Sequence, residues 1–192
     1  MSTIAQAAMQ SNDIILNGKV FTNNTKLSKE HAIFAAYHSL LYSGNPPREG
    51  KLSTTTIIGS VKQALMAIKY SSEETGPEDV SNLMASAKGT AMHNGLTAAL
   101  QAYDSNYTCE KRIEREVDDW KISGEFDVLT PDKQIKDFKF VSNYNIKKLI
   151  EDKQALQPEW TLEDMYTKAP TYFKYVAQLS IYRYLLNDPE VK

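Results

Sequence analysis

The spacing of apolar residues changes period along this chain, and each change marks a new element. Residues 1–27 are polar and weakly patterned, with room for a short strand at Ile14-Ile15-Leu16 or Lys19-Val20-Phe21. Ser28 then suits an N-cap, and Ile33, Ala36, Tyr37, Leu40 and Leu41 predict a helix over about 29–42 with those residues as its apolar stripe. The Gly-Asn-Pro-Pro run within Ser43 to Gly50 reads as a loop. A second helix is predicted from Thr54 to Tyr70, with Ile57, Ile58, Val61, Leu65 and Ile68 along one side. After a break at 71–77, a longer helix runs from Glu78 to Tyr103, loosened at Gly89 and Gly95.

The period then becomes two. Glu110 to Trp120, Lys121 to Leu129 and Gln134 to Phe140 read as a three-stranded antiparallel meander, its last turn being Thr130-Pro131-Asp132-Lys133. Helical spacing returns at 144–154, again from Thr161 to Lys168, and from Pro170 to about Leu186, where Asp188-Pro189 ends it. This order predicts an α/β fold, a small mixed sheet flanked by helices. Residues 1–77 form a mainly helical elaboration on a core at 78–192, in one compact domain. Only Glu190, Val191 and Lys192 follow the last helix, fewer than the roughly five residues of a typical strand. The sheet edge beside Asp137 is therefore expected to be bare and to invite self-association or a protein partner, the 192-residue species being a truncated or split form.

Composition narrows the chemistry. Cys109 is the single cysteine, which excludes an intrachain disulfide and a Cys-rich zinc or iron–sulfur site. The net charge of −2 carries no nucleic-acid signature, although lysines are spread along the chain. Met1 to Gln10 lacks the pattern of a secretory signal, and no apolar run approaches the ~20 residues of a membrane span, so a cytoplasmic protein without a membrane partner is expected.

Strand alternation supplies a candidate site. It puts Asp137 and Lys139 on one face and Phe138 on the other, with Asp127 on the preceding strand within reach. Two carboxylates and an ammonium suit a hard divalent cation, magnesium or manganese, beside a phosphate. His31 and His38 read as structural helix residues. Lys136, Lys147, Lys148, Lys153, Lys168 and Lys174 form either a solvated surface or the flank of a phosphate path, and the C-terminal tyrosines read mostly as core.

Four short patterns now stand in order. They are Gly89-Thr90-Ala91-Met92-His93, Gly124-Glu125-Phe126-Asp127, Asp137-Phe138-Lys139 and Gln178-Leu179-Ser180-Ile181-Tyr182. Together they resemble the G-x-x-x-H, G-x-x-D, (D/E)-x-K and Q-x-x-x-Y motifs of the PD-(D/E)XK nuclease superfamily, RecB-type exonuclease branch, without the iron–sulfur cluster. The resemblance covers about Ala85 to Leu186. It implies a restriction-endonuclease-like αβββαβ core, whose last strand is not evident here, and hydrolysis of DNA phosphodiester bonds with Mg²⁺ or Mn²⁺. It implies metal ligation by His93, Asp127, Asp137 and the main-chain carbonyl of Phe138. Lys139 would position the attacking water, Gln178 would position Lys139 or the substrate, Tyr182 would contact DNA or the sheet, and Glu116 would be an additional acidic group near the site. The expected partner is single-stranded DNA or duplex ends, in recombination, repair or phage DNA metabolism, with an exonuclease favoured over an endonuclease. The competing class is a non-catalytic or partner-dependent binding module on the same fold.

Overall fold

The computed structural model describes residues 12–24, 26–42, 50–70 and 78–192. The loop expected at 43–49, the break at 71–77 and the first eleven residues lie outside them. In chain order the described elements are β1 (Ile14–Leu16), β2 (Lys19–Thr22), α1 (Lys29–Tyr42), β3 (Lys51–Ser53), α2 (Thr54–Ile57), α3 (Val61–Lys69), β4 (Glu78–Asp79), α4 (Val80–Tyr103), β5 (Thr108–Val117), β6 (Trp120–Leu129), β7 (Ile135–Lys136), α5 (Asn143–Ala155), α6 (Leu162–Lys168) and α7 (Pro170–Leu186). The fold is mixed α/β, small sheets flanked by helices. Two compact units share the chain: Met1–Pro46 with Ser72–Asn94, and Pro47–Ser71 with Gly95–Lys192. Among the described residues no helix is long and apolar enough to cross a membrane.

In the first unit both short apolar runs become strands. β1 and β2 form a hairpin around Asn17-Gly18, whose φ angles of 50° and 80° suit the tight turn of a two-residue hairpin. β4 pairs parallel with β2. Helix α1 falls where expected, and Ser28 Oγ accepts from the backbone N–H of His31 at 3.4 Å. Its buried face differs from the predicted stripe. Ala32, Ala35, Ala36 and Ser39 are buried, while Ile33, Tyr37 and Leu41 are exposed. Small residues let the helix backbone approach the hairpin closely, and Phe21, Ile14, Val80 and Met84 fill the core between them.

The second unit is built on the long β5–β6 hairpin. It turns at Asp118-Asp119, with Asp118 at φ 52° and Val117 opposite Trp120, rather than after Trp120 as the sequence suggested. Two carboxylate side chains tolerate the left-handed turn that the aromatic does not. The other edge of β6 is occupied at its two ends only. β3, unforeseen in the sequence, pairs parallel with Lys121–Ser123. β7 pairs antiparallel with Val128 and Leu129. Gly124 to Asp127 lie between these two partners. The predicted strand from Gln134 to Phe140 is thus only Ile135–Lys136. The predicted helix at 54–70 is likewise divided, because Ile58 and Gly59 close α2 and the Ser60 side chain caps α3 by accepting from Gln63 N–H at 3.3 Å. Helix α4, in contrast, runs unbroken through Gly89 and Gly95.

Helix α7 covers the Phe126 face of the hairpin. Ile113, Phe126, Ile135, Tyr182, Leu185 and Val191 make the core there, with the Phe126 and Tyr182 rings edge-on at 6.5 Å. Beyond α7, Asn187 adopts a left-handed conformation and Val191 is fully buried. The edge expected to be bare is met by Lys192. Its N–H donates to the Lys133 carbonyl at 2.9 Å, and its carbonyl accepts from Ile135 N–H at 3.4 Å. Thr161 and Asp164 form a capping box on α6, and Lys168 sits 2.6 Å from Asp164, holding that carboxyl down at about 2.

The first turn of α7 has no cap of its own. Asp152 on α5 supplies it from a distance in sequence, accepting from the N–H groups of Thr171 at 2.8 Å and Tyr172 at 3.2 Å. Asp152→Ala leaves both donors without that acceptor. It is expected to lower unfolding stability by about 1–2 kcal/mol, seen as a lower urea midpoint at unchanged slope. An unchanged midpoint would contradict this role.

Candidate metal and catalytic site

Asp127 sits near the end of β6 and is buried. Its carboxylate accepts a short hydrogen bond from the backbone N–H of Phe138. In an extended β6–β7 ladder Phe138 would stand near this position and bond to backbone. Here the side chain takes the donor instead, and the ladder stops at Lys136. Asp137, Phe138 and Lys139 follow outside any strand or helix.

The expected side relations survive that shortening. Lys139 Nζ lies 2.6 Å from Asp137 Oδ2. Gln178 Nε2, from α7, donates to Asp137 Oδ1 at 3.2 Å and to the Tyr182 hydroxyl at 2.6 Å. Gln178 and Tyr182 are both buried and stand one helical turn apart, which lets one amide nitrogen reach both acceptors. Burial pushes the Tyr182 hydroxyl up to about 12, the Gln178 hydrogen bond opposes that, and the charges of Asp137, Asp127 and Glu125 reinforce it. Tyr182 is therefore a neutral hydroxyl at any physiological pH.

The glycine of the Gly124–Asp127 segment has a steric cause. A methyl group on Gly124 would lie 2.5 Å from Thr54 Oγ1 and 2.7 Å from Tyr182 Cε1. Thr54 is buried and donates to the Ser123 carbonyl at 3.1 Å, so it cannot easily give way. Gly124 is what allows Tyr182 to lie against β6.

One acidic residue escaped the sequence reading. Cys109 pairs with Val128 and Lys111 with Phe126, so Glu110 stands opposite Asp127 in the β5–β6 register. Glu110 has φ 48°, a left-handed conformation in the body of a strand. Its carboxylate and that of Asp127 offer oxygens within 4.8 Å of one another, close enough to share a cation. His93 is half-buried on α4, on the first-unit side of the division between the units. Glu116, the acid singled out from the sequence, lies instead opposite Lys121 near the hairpin turn and is exposed.

The remaining sequence candidates take structural places. His31 Nδ1 is 2.9 Å from Ser28 Oγ, and His38 is buried in the first unit. Lys147 and Lys168 pair with acids one turn away on their own helices. Tyr166 stacks edge-on with Phe173 at 5.6 Å, and Tyr184 lies under Arg115 at 4.5 Å.

The donor set fits a hard cation. Asp137 presents one carboxylate oxygen to Lys139 and the other to Gln178, and Asp127 and Glu110 add further carboxylate oxygens. Carboxylate and carbonyl oxygens suit Mg²⁺ or Mn²⁺.

No family model matches this chain, and no curated protein matches it. Among solved structures, the crystal structure of SSO0001 is similar at 17% identity and a TM-score of 0.46, over 67% of this chain and 65% of that one. The match thus spans less than two thirds of the SSO0001 chain.

The packing at Gly124 makes a prediction about stability. Gly124→Ala is expected to cost about 1–3 kcal/mol through overpacking against Thr54 and Tyr182. Thr54→Ser offers only a smaller neighbour, whereas the pair Gly124→Ala with Tyr182→Leu removes the ring and should recover part of the loss. A fully stable Gly124→Ala protein in thermal unfolding would contradict the packing.

Proposed function

We propose that this chain is a divalent-metal-dependent nuclease that hydrolyses DNA phosphodiester bonds, of the PD-(D/E)XK type and RecB branch. The observation that carries the reading is Asp137 held between Lys139 and Gln178, with the next backbone N–H, that of Phe138, bonded to Asp127, all within one unit. An ion pair whose carboxylate is buried against a buried glutamine is a useful catalytic arrangement. It holds the carboxylate and the ammonium in one orientation before substrate arrives.

Asp127, Asp137 and the Phe138 carbonyl would hold Mg²⁺ or Mn²⁺, with Glu110 as a further ligand. When bound, the ion supplies Lewis acidity at the phosphate and makes water a better nucleophile near neutral pH. Lys139 Nζ would orient that water and offset charge on the phosphate oxygens. Gln178 keeps Asp137 in place, and the neutral Tyr182 hydroxyl in turn accepts from Gln178. The water oxygen forms the new bond to phosphorus and the bond to the leaving sugar oxygen breaks. The proton lost by water goes to solvent, and the sugar oxygen takes one up. We assign the substrate as single strands or duplex ends and the compartment as the cytoplasm, and favour exonucleolytic over endonucleolytic attack. The alternative, a binding module on this fold, accounts less well for a lysine held 2.6 Å from the buried Asp137 carboxylate.

Linear DNA should be degraded with Mg²⁺ or Mn²⁺ and left intact in EDTA, while covalently closed circles persist. Asp137→Ala should abolish cleavage and weaken Mn²⁺ binding by calorimetric titration. Lys139→Ala should slow cleavage by about a hundredfold or more, yet bind Mn²⁺ at least as well, because an ammonium is not a ligand and its removal frees Asp137 Oδ2. Undiminished cleavage in EDTA would defeat the mechanism. Equal loss of Mn²⁺ affinity in the two variants would show the role of Lys139 to be misassigned.

A further inference from the structure

The gap along β6 between β3 and β7 holds a cavity of about 180 Å³. Ser53, Thr55, Arg112, Glu125 and Tyr182 are among the residues that line it, Tyr182 lying against Gly124. All belong to the second unit. The cavity adjoins the proposed catalytic groups in two ways. Tyr182 is joined through Gln178 to Asp137. Glu125 precedes Asp127 by two residues on β6, so both side chains leave the same face, roughly 6.6 Å apart along the strand.

A cavity beside a phosphodiester site is readily taken for a phosphate pocket. The charges here argue otherwise. Arg112 lies 3.8 Å from Glu125 and 3.7 Å from Glu114, and Glu114 lies 3.6 Å from Lys121. The row alternates in sign and cancels, Arg112 being already shared between two carboxylates. A terminal phosphate dianion needs an excess of positive donors, and would meet the Glu125 carboxylate. What the walls do offer is a mixture. Arg112 donates and Glu125 accepts. The Ser53 hydroxyl is taken up by Thr55 and Thr56, but the Thr55 hydroxyl, bonded to Ser53 at 2.9 Å, has a further site, and the Tyr182 ring presents an apolar surface. That mixture matches a sugar carrying free hydroxyl groups. The volume agrees, being below the ~300 Å³ at which pockets for larger organic ligands begin.

We propose that this cavity receives the terminal sugar of a DNA strand end bearing a free hydroxyl, and that Glu125 discriminates against a terminal phosphate. The proposal rests on the nuclease reading and adds the chemistry of the end. Arg112 and Glu125 are cross-strand neighbours in register, so the pair is held by the β5–β6 ladder and not by a mobile loop.

The test uses the full chain and two linear duplexes of one sequence, with hydroxyl or phosphate at the terminus where degradation begins. The rates are compared within each protein, so a change in folding or overall activity cancels. The wild-type chain should degrade the hydroxyl end about tenfold faster, and Glu125→Gln should bring the two ends within about twofold. Equal rates, or faster attack on the phosphate end, in the wild type would overturn the proposal. So would a wild-type preference that Glu125→Gln leaves unchanged. Failure to cut either duplex with Mg²⁺ or Mn²⁺ would defeat the nuclease reading instead. Fluorescent oligonucleotides with the same two ends then test the cavity alone by anisotropy. Roughly tenfold weaker binding of the phosphate end retains the assignment, and equal affinity overturns it.

Discussion

The hydrogen bond from the Phe138 backbone to the Asp127 carboxylate decides the shape of the site. A strand that kept pairing with β6 would have carried Asp137 and Lys139 along a regular ladder. By taking the backbone donor, Asp127 ends β7 after two residues and leaves the next three outside the ladder. A buried carboxylate needs a donor to offset its desolvation, and a backbone N–H freed from the ladder needs an acceptor. Each satisfies the other. The result is that Asp137 stands outside the ladder, with Lys139 on one carboxylate oxygen and Gln178 on the other.

The helix that supplies Gln178 is itself positioned by polar groups. Asp152 caps its start from α5, and packing of Tyr182 and Leu185 on the Phe126 face fixes its rotation. That packing requires the missing side chain at Gly124. Stability and chemistry meet here in one ring. Tyr182 is a core residue on its apolar edge and a partner of Gln178 at its hydroxyl. The gap between β3 and β7 leaves that ring lining a small cavity at the same sheet edge.

Much of this was legible in the sequence, and the failures have particular causes. Helices α1, α5, α6 and α7 follow from their caps and periodicity, with Ser28, Thr161 and Pro170 marking starts that the structure keeps. Strand alternation put Asp137 and Lys139 side by side, and the motif resemblance added Gln178. The buried face of α1 did not, because alanines that pack tightly carry less hydrophobic signal than the exposed Ile33, Tyr37 and Leu41. β3 is three residues long and pairs with a strand far away in the chain, which no local pattern reveals. Glu110 was missed through register. A turn placed after Trp120 puts Glu114 opposite Asp127, whereas the turn at Asp118-Asp119 puts Glu110 there. Its left-handed backbone leaves no mark in the sequence either.

The central claim is that Asp127 and Asp137 form one metal centre. Anomalous diffraction from crystals grown with Mn²⁺ addresses it directly. The account predicts a manganese peak ligated by carboxylate oxygens of both Asp127 and Asp137, lost in Asp137→Ala crystals. Manganese bound at another place in a protein that cleaves DNA, or a peak unaffected by Asp137→Ala, would contradict it.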